Sequence, residues 1–166
     1  MTLPIILASA SPARLQLLQQ IGITPDQVIP ADIDEVINKG ETPQNFARRM
    51  SFEKAQHVAS QIEKGIIIGA DTVPVCRRQI MRKAKNEQDV RESLEMISQR
   101  RHRVYTGVTI IRKDGNKMVS QTKLSESLLK VKKLTKQEID DFCASGEGIG
   151  KAGGYTLTGK AESFVL

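Results

Sequence analysis

Pro4-Ile5-Ile6-Leu7-Ala8-Ser9-Ala10-Ser11-Pro12-Ala13-Arg14 is the stretch that decides how this chain is read. The apolar run Pro4 to Ala8 predicts a short buried strand that passes directly into a helix over Pro12–Ile21. Ser11 suits the N-cap and Pro12 the first helical position, where a missing N–H costs nothing. Leu15, Leu18 and Ile21 then recur at helical spacing. A helix start with unpaired N–H groups, the hydroxyls of Ser9 and Ser11, and Arg14 in its first turn would suit an anion. A capped first helix with a solvated arginine explains the same residues.

The alternation of elements continues along the chain. Gln27–Pro30 predicts a second strand. Thr42 caps a helix with Pro43 at its first position, and Phe46, Met50, Ala55, Val58, Ala59 and Ile62 supply its apolar face. After Gly65, Ile66-Ile67-Ile68-Gly69-Ala70 has the character of a strand buried on both faces, terminated by Asp71. Val73 to Met81 predicts a strand pair around Arg77-Arg78, and Asn86 caps a helix carrying Val90, Leu94 and Ile97. Arg103 to Arg112 is rich in β-branched residues, and Asp114-Gly115 turns it into a second long strand. Thr135 and Glu138 form a capping box for a helix holding Ile139 and Phe142, ended near Gly146. Ser163–Leu166 reads as a final strand. No repeat, low-complexity tract or linker interrupts residues 1–166, so the expectation is one α/β domain. Its hairpins argue for a mixed, twisted sheet flanked by helices rather than an all-parallel one.

Composition removes several classes of function. The 166 residues suffice for one domain with a real core. No apolar run approaches the roughly 18 residues needed to cross a bilayer, and the N-terminus lacks a signal-peptide pattern. A cytoplasmic protein without membrane partners is expected. Two cysteines, Cys76 and Cys143, without a CxxC motif and with only two histidines, argue against a zinc site or a disulfide scaffold. Both cysteines read as small buried hydrophobes. The net charge of +6 favours anionic partners. The basic residues are dispersed, however, and aromatics are only 4%, which leaves few stacking platforms for nucleic acid. No nucleic-acid partner is expected, and a small phosphorylated ligand accounts for the charge equally well.

Three residues stand where packing alone would not put them. Lys54 lies four residues after Met50 and four before Val58, on the inward stripe of its helix, so it either snorkels past the core or aims into a cleft. Asp71 ends the most hydrophobic strand, where open α/β sheets place their sites; the alternative is a turn-capping aspartate. Lys83, in Met81-Arg82-Lys83-Ala84, is by itself an ordinary surface lysine. Asp34-Glu35 adds carboxylates that are either a solvated edge or oxygen ligands for Mg²⁺. Together, Arg14, Lys54, Lys83, Glu35, Asp71, Ser9 and Ser11 form an inventory for phosphoanhydride chemistry, in which charge neutralisation, positioning and an activated water carry the reaction. No Walker A or GxGxxG motif is present.

These residues make the chain resemble the Maf family of nucleoside triphosphate pyrophosphatases. The resemblance runs from Ile6 to the C-terminus. It rests on the ordered set Leu7-Ala8-Ser9-Ala10-Ser11-Pro12-Ala13-Arg14, Ile33-Asp34-Glu35, Glu53-Lys54-Ala55, Gly69-Ala70-Asp71-Thr72, Lys83, His102, Thr106-Gly107 and Gly146-Glu147 through Lys151-Ala152-Gly153-Gly154-Tyr155. It implies a mixed α/β fold akin to inosine triphosphatases. It also implies hydrolysis between the α- and β-phosphates with a divalent cation, Mg²⁺ or Mn²⁺, giving a monophosphate and pyrophosphate. Such house-cleaning of non-standard nucleotides has been linked in the family to cell-division arrest. By the resemblance, Asp71 accepts the proton of the attacking water and Glu35, with Asp71, holds the metal. Arg14, Lys54 and Lys83 neutralise the triphosphate, and Ser9 and Ser11 contact it.

The chain also departs from the family pattern. The branch selective for dTTP and UTP has Arg, Thr and Gln where this chain has Ala13, Thr72 and Thr158, whereas the branch acting on 7-methyl-GTP has Trp, Gln and Glu. The implied substrate therefore stays at nucleoside triphosphate. Ala84 replaces the family's proline after Lys83 and is expected to loosen that loop. Family members continue beyond Leu166 through a further strand and a final helix, so this chain is expected to be less stable and prone to form a homodimer. A catalytically weak nucleotide-binding or regulatory protein is the alternative to an active enzyme.

Overall fold

β1 (Ile5–Leu7) runs into α1 (Pro12–Gln20), as the opening stretch predicts. In the computed structural model, which describes residues 2–157 and 159–166, β1 lies between two parallel neighbours. Ile6 pairs with Gln27 of β2 (Gln27–Val28), and Ile5, Ile6 and Leu7 pair with Ile66, Ile67 and Ile68 of β3 (Lys64–Cys76). β4 (Gln79–Ile80) folds back antiparallel on the end of β3, with Val75 opposite Ile80. β5 (Arg101–Asp114) and β6 (Lys117–Lys130) complete the order β2-β1-β3-β5-β6. The sheet is mixed and carries helices, as expected.

The chain forms two compact units, Met1–Asp71 with Thr106–Ser125 and Thr72–Tyr105 with Glu126–Leu166. In the first, α2 (Pro43–Ala59) packs on the sheet through Ala55, Val58 and Ala59, against Ile6, Ala8, Ile67 and Ile111. Thr42 caps α2 by accepting from the Asn45 N–H, so the predicted start holds. Two glycines let this helix approach closely. A Cβ on Gly69 would stand 2.4 Å from the Ser51 carbonyl oxygen, and one on Gly107 would stand 2.3 Å from that of Ala47. Neither position has room for a methyl group. Ser51 also bonds Thr109 at 2.9 Å, and Thr109 bonds Thr122 at 2.8 Å, a polar tie from helix to sheet that is buried at Ser51 and Thr109. By contrast, α1 buries no residue, so the spacing of Leu15 and Leu18 gives only half-buried contacts.

In the second unit, α3 (Glu87–Ile97) starts at Asn86, which accepts from the Asp89 N–H, and buries Val90, Leu94 and Ile97. α4 (Lys136–Ser145) carries the complete Thr135–Glu138 capping box and ends at Gly146. Phe142 of α4 stacks on Phe164, with ring centres 5.6 Å apart. His102 is buried with its Nε2 2.5 Å from the Tyr155 hydroxyl. Cys76 and Cys143 are buried free thiols, as read from the sequence.

Three expectations need correction. β3 does not end at Asp71 but runs on to Cys76, a strand of 13 residues from Lys64. Asp71 and Thr72 break the run of hydrophobicity without breaking extended backbone, because Val73 and Val75 favour it. The strand expected over Gln27–Pro30 closes at Val28, where Pro30, without an N–H, cannot extend the ladder. Ser163–Leu166 is not a strand: Gly159–Phe164 forms a 3-10 helix, and only Val165 keeps a bridge, to Val131. One local and one distant bond hold the helical turn: Ser163 donates to the Lys160 carbonyl, and the Lys160 N–H donates to Glu147. No helix among the described residues is long and apolar enough to cross a membrane.

Candidate active site

Lys54 is the centre of the site. The helical stripe turns it inward, as its spacing predicts, and it is only 6% exposed. A buried ammonium needs partners, and two carboxylates provide them. Asp71 Oδ1 lies 2.5 Å and Glu35 Oε1 2.7 Å from Lys54 Nζ. Asp71 reaches it from the middle of β3, and Glu35 from the irregular segment between β2 and α2. The close approach at Gly69, two residues before Asp71 and so on the same face of the strand, sets the distance between α2 and β3 here.

Burial holds the Asp71 carboxyl above its ordinary value, with the Glu35 charge adding to the rise and Lys54 and Arg14 opposing it. Arg14 completes the cluster. Burial pulls its guanidinium below the ordinary value, while Asp71 and Glu35 pull the other way; it nonetheless stays protonated in water at any working pH. Arg14 Nη1 donates to Ser9 Oγ at 3.0 Å, and the same oxygen accepts from the Ser11 N–H at 3.2 Å. Ser9, not Ser11, therefore ties the strand-to-helix turn. Ser11 stands at the N-cap of α1 without a side-chain capping bond. The first unit thus brings together Ser9, Arg14, Glu35, Lys54 and Asp71, two cations balanced by two anions.

Ala13 is half-buried on α1. Thr72 follows Asp71 on β3 and so faces the opposite side of the sheet. Thr158 lies outside the described residues. Lys83 belongs to the second unit, where it is exposed and bridges Ala152. The loop next to it is not loose. Ala84 N–H donates to the Lys151 carbonyl at 3.1 Å, a bond that a proline could not make, and the Ala84 carbonyl accepts from Gly150 at 2.8 Å.

Glu35 and Asp71 fit a divalent cation in one particular way. No cluster of three or more His, Cys, Asp and Glu exists among the described residues. Mg²⁺ commonly takes one or two carboxylates and completes its shell with water and substrate phosphates, and two convergent carboxylates suit that. Residues missed by the sequence reading are Gly69 and Gly107. Their signal was present, since a glycine inside a strand marks close backbone approach.

The family model described as "Maf-like protein" matches residues 4–166. A "Nucleoside triphosphate pyrophosphatase" of Rickettsia felis is 50% identical over 164 residues, covering 98% of this chain and 81% of the relative. One of the same name from Rickettsia rickettsii (strain Sheila Smith) is 49% identical, covering 98% of this chain and 76% of the relative. Among solved structures, the Staphylococcus aureus Ham1 protein matches 76% of this chain and 71% of its own, with 16% identity and a TM-score of 0.46. With the family model spanning almost the whole sequence, the chain belongs to the family of Maf-like proteins.

Proposed function

We propose that this chain is a nucleoside triphosphate pyrophosphatase, cleaving the α–β phosphoanhydride to give a nucleoside monophosphate and pyrophosphate. The observation that carries the proposal is the buried Lys54 ammonium shared by Asp71 and Glu35. A purely structural ion pair needs one partner of each sign, and buried pairs are weak contributors to stability. Here a second carboxylate and Arg14 gather at the same point, an arrangement suited to an anionic substrate. The names of the relatives at about 50% identity support the same reaction class.

In this mechanism Asp71 takes the proton of the water that attacks the α-phosphorus. Its raised basicity, from burial, favours that role. Lys54 exchanges part of its carboxylate contact for phosphate oxygen, freeing Asp71 to act as base. Arg14 neutralises the departing pyrophosphate, with Ser9 holding its guanidinium. Glu35 and Asp71 would hold a divalent cation, Mg²⁺ or Mn²⁺, which when bound supplies charge neutralisation at the phosphates. We place the reaction in the cytoplasm.

The test is pyrophosphate release from a panel of standard and modified triphosphates with Mg²⁺ or Mn²⁺. Wild-type turnover is expected, with Asp71→Asn lowering kcat by about 10²–10⁴-fold, the usual share of a general base. Triphosphate binding without hydrolysis would instead make the chain a nucleotide-binding regulator.

A further inference from the structure

Glu35 lies in a segment without regular secondary structure, so no strand ladder or helix fixes it, yet it meets Lys54 at 2.7 Å. The next residue is tied down. Arg49 Nη2 donates to the Val36 carbonyl at 2.7 Å. The same guanidinium grips Glu41 through Nε and Nη2, both at 2.7 Å, and Glu41 also accepts from the Asn38 N–H at 3.0 Å. Nη1 donates to Glu53 at 3.1 Å, and the group lies over the Phe46 ring, 5.5 Å from its centre. Most exposed ion pairs contribute little, because two flexible side chains must be ordered for one contact. This one differs. It is bidentate, its Glu41 side chain is only 9% exposed, and it joins a loop to a helix.

We infer that Arg49 is a positioning residue. By clamping residues 36–41 onto α2, it holds Glu35 against Lys54, which stands five residues further along the same helix. Arg49 acts on the ion pair through the backbone of Val36. The planar fork is essential, since an ammonium cannot bind Glu41 through two parallel bonds while reaching a carbonyl. The kinetic consequence of the clamp rests on the pyrophosphatase reading; its structural consequence does not.

The experiment pairs two measurements on the folded chain. One is site-resolved acetylation of Lys54 without nucleotide, and the other is kcat for pyrophosphate release. Wild type is compared with Arg49→Gln, Glu41→Gln, Glu35→Gln and the double variant Arg49→Gln/Glu35→Gln. Arg49→Gln is expected to raise the Lys54 labelling rate by about threefold or more and to lower kcat by about tenfold, as loss of a supporting contact does. The double variant is expected to match Glu35→Gln within about twofold in both, because a residue acting through another adds nothing once that other is gone. Glu41→Gln should move both readouts in the same direction by less, and it decides the matter if Arg49→Gln does not fold. Unchanged Lys54 labelling alongside a lower melting temperature would overturn the clamp, as would full additivity with Glu35→Gln. If wild type releases no pyrophosphate, the functional reading fails and the labelling arm alone decides.

Discussion

Asp71 ties stability and activity to pH in opposite directions. Burial raises the Asp71 carboxyl, so between its ordinary value of 3.8 and its raised value the folded chain binds a proton that the unfolded chain has released. Its contribution to stability is therefore fully present below 3.8 and is lost as pH rises through the raised value. Activity should run the other way, since only the carboxylate can take a proton from water. We expect kcat to rise with pH along an acid limb whose midpoint lies above 3.8; a pH–rate profile already flat at that pH would contradict the assignment. Lys54→Met removes the ammonium that pairs with both Asp71 and Glu35, and should cost about 3–5 kcal/mol in urea unfolding, as breaking a buried ion pair does. Lys54 was legible in the sequence because helical periodicity alone turns it inward. Asp71 was legible as a polar residue in an apolar run, but its place in the strand was misread. Hydrophobicity marks burial, whereas strand length depends on backbone pairing.

Among the elements, α2 sets the geometry of the site and α4 shows how much a cap decides locally. Gly69→Ala would force a methyl group against the Ser51 carbonyl, to which an ideal Cβ is only 2.4 Å away. The helix must lift from β3, with a stability loss of about 1–3 kcal/mol by overpacking and a fall in kcat as Lys54 leaves Asp71. Thermal melts with parallel kinetics would read both effects. Thr135→Ala should lose about 1 kcal/mol by removing the capping bond to the Glu138 N–H, measured by denaturant titration, with kcat unchanged. The capping signals at Thr42, Asn86 and Thr135 were legible because each bond forms within three residues. The 3-10 turn over Gly159–Phe164 was not, because its start depends on Glu147, far back in the chain, accepting from Lys160.

For the whole molecule, a net charge of +6 should aid capture of a polyanionic substrate. KM for the triphosphate is expected to rise with ionic strength from about 0.05 to 0.5 M while kcat changes little, because salt screens approach more than buried contacts. A KM independent of salt would show that the charge lies out of reach of the site. The sequence by itself determined the alternation of strands and helices, the inward stripe of α2 and the set of chemistry-bearing residues. Those features follow from neighbours within one or two turns of chain, where periodicity and capping act. Only the tertiary structure decided that one ammonium is shared by Glu35 and Asp71, that Ser9 rather than Ser11 holds Arg14, and that Arg49 fastens the loop carrying Glu35. The Lys54 and Arg49 pairings join segments well separated along the chain, and the approach of α2 to β3 is set by close backbone packing such as that at Gly69, which no local pattern encodes.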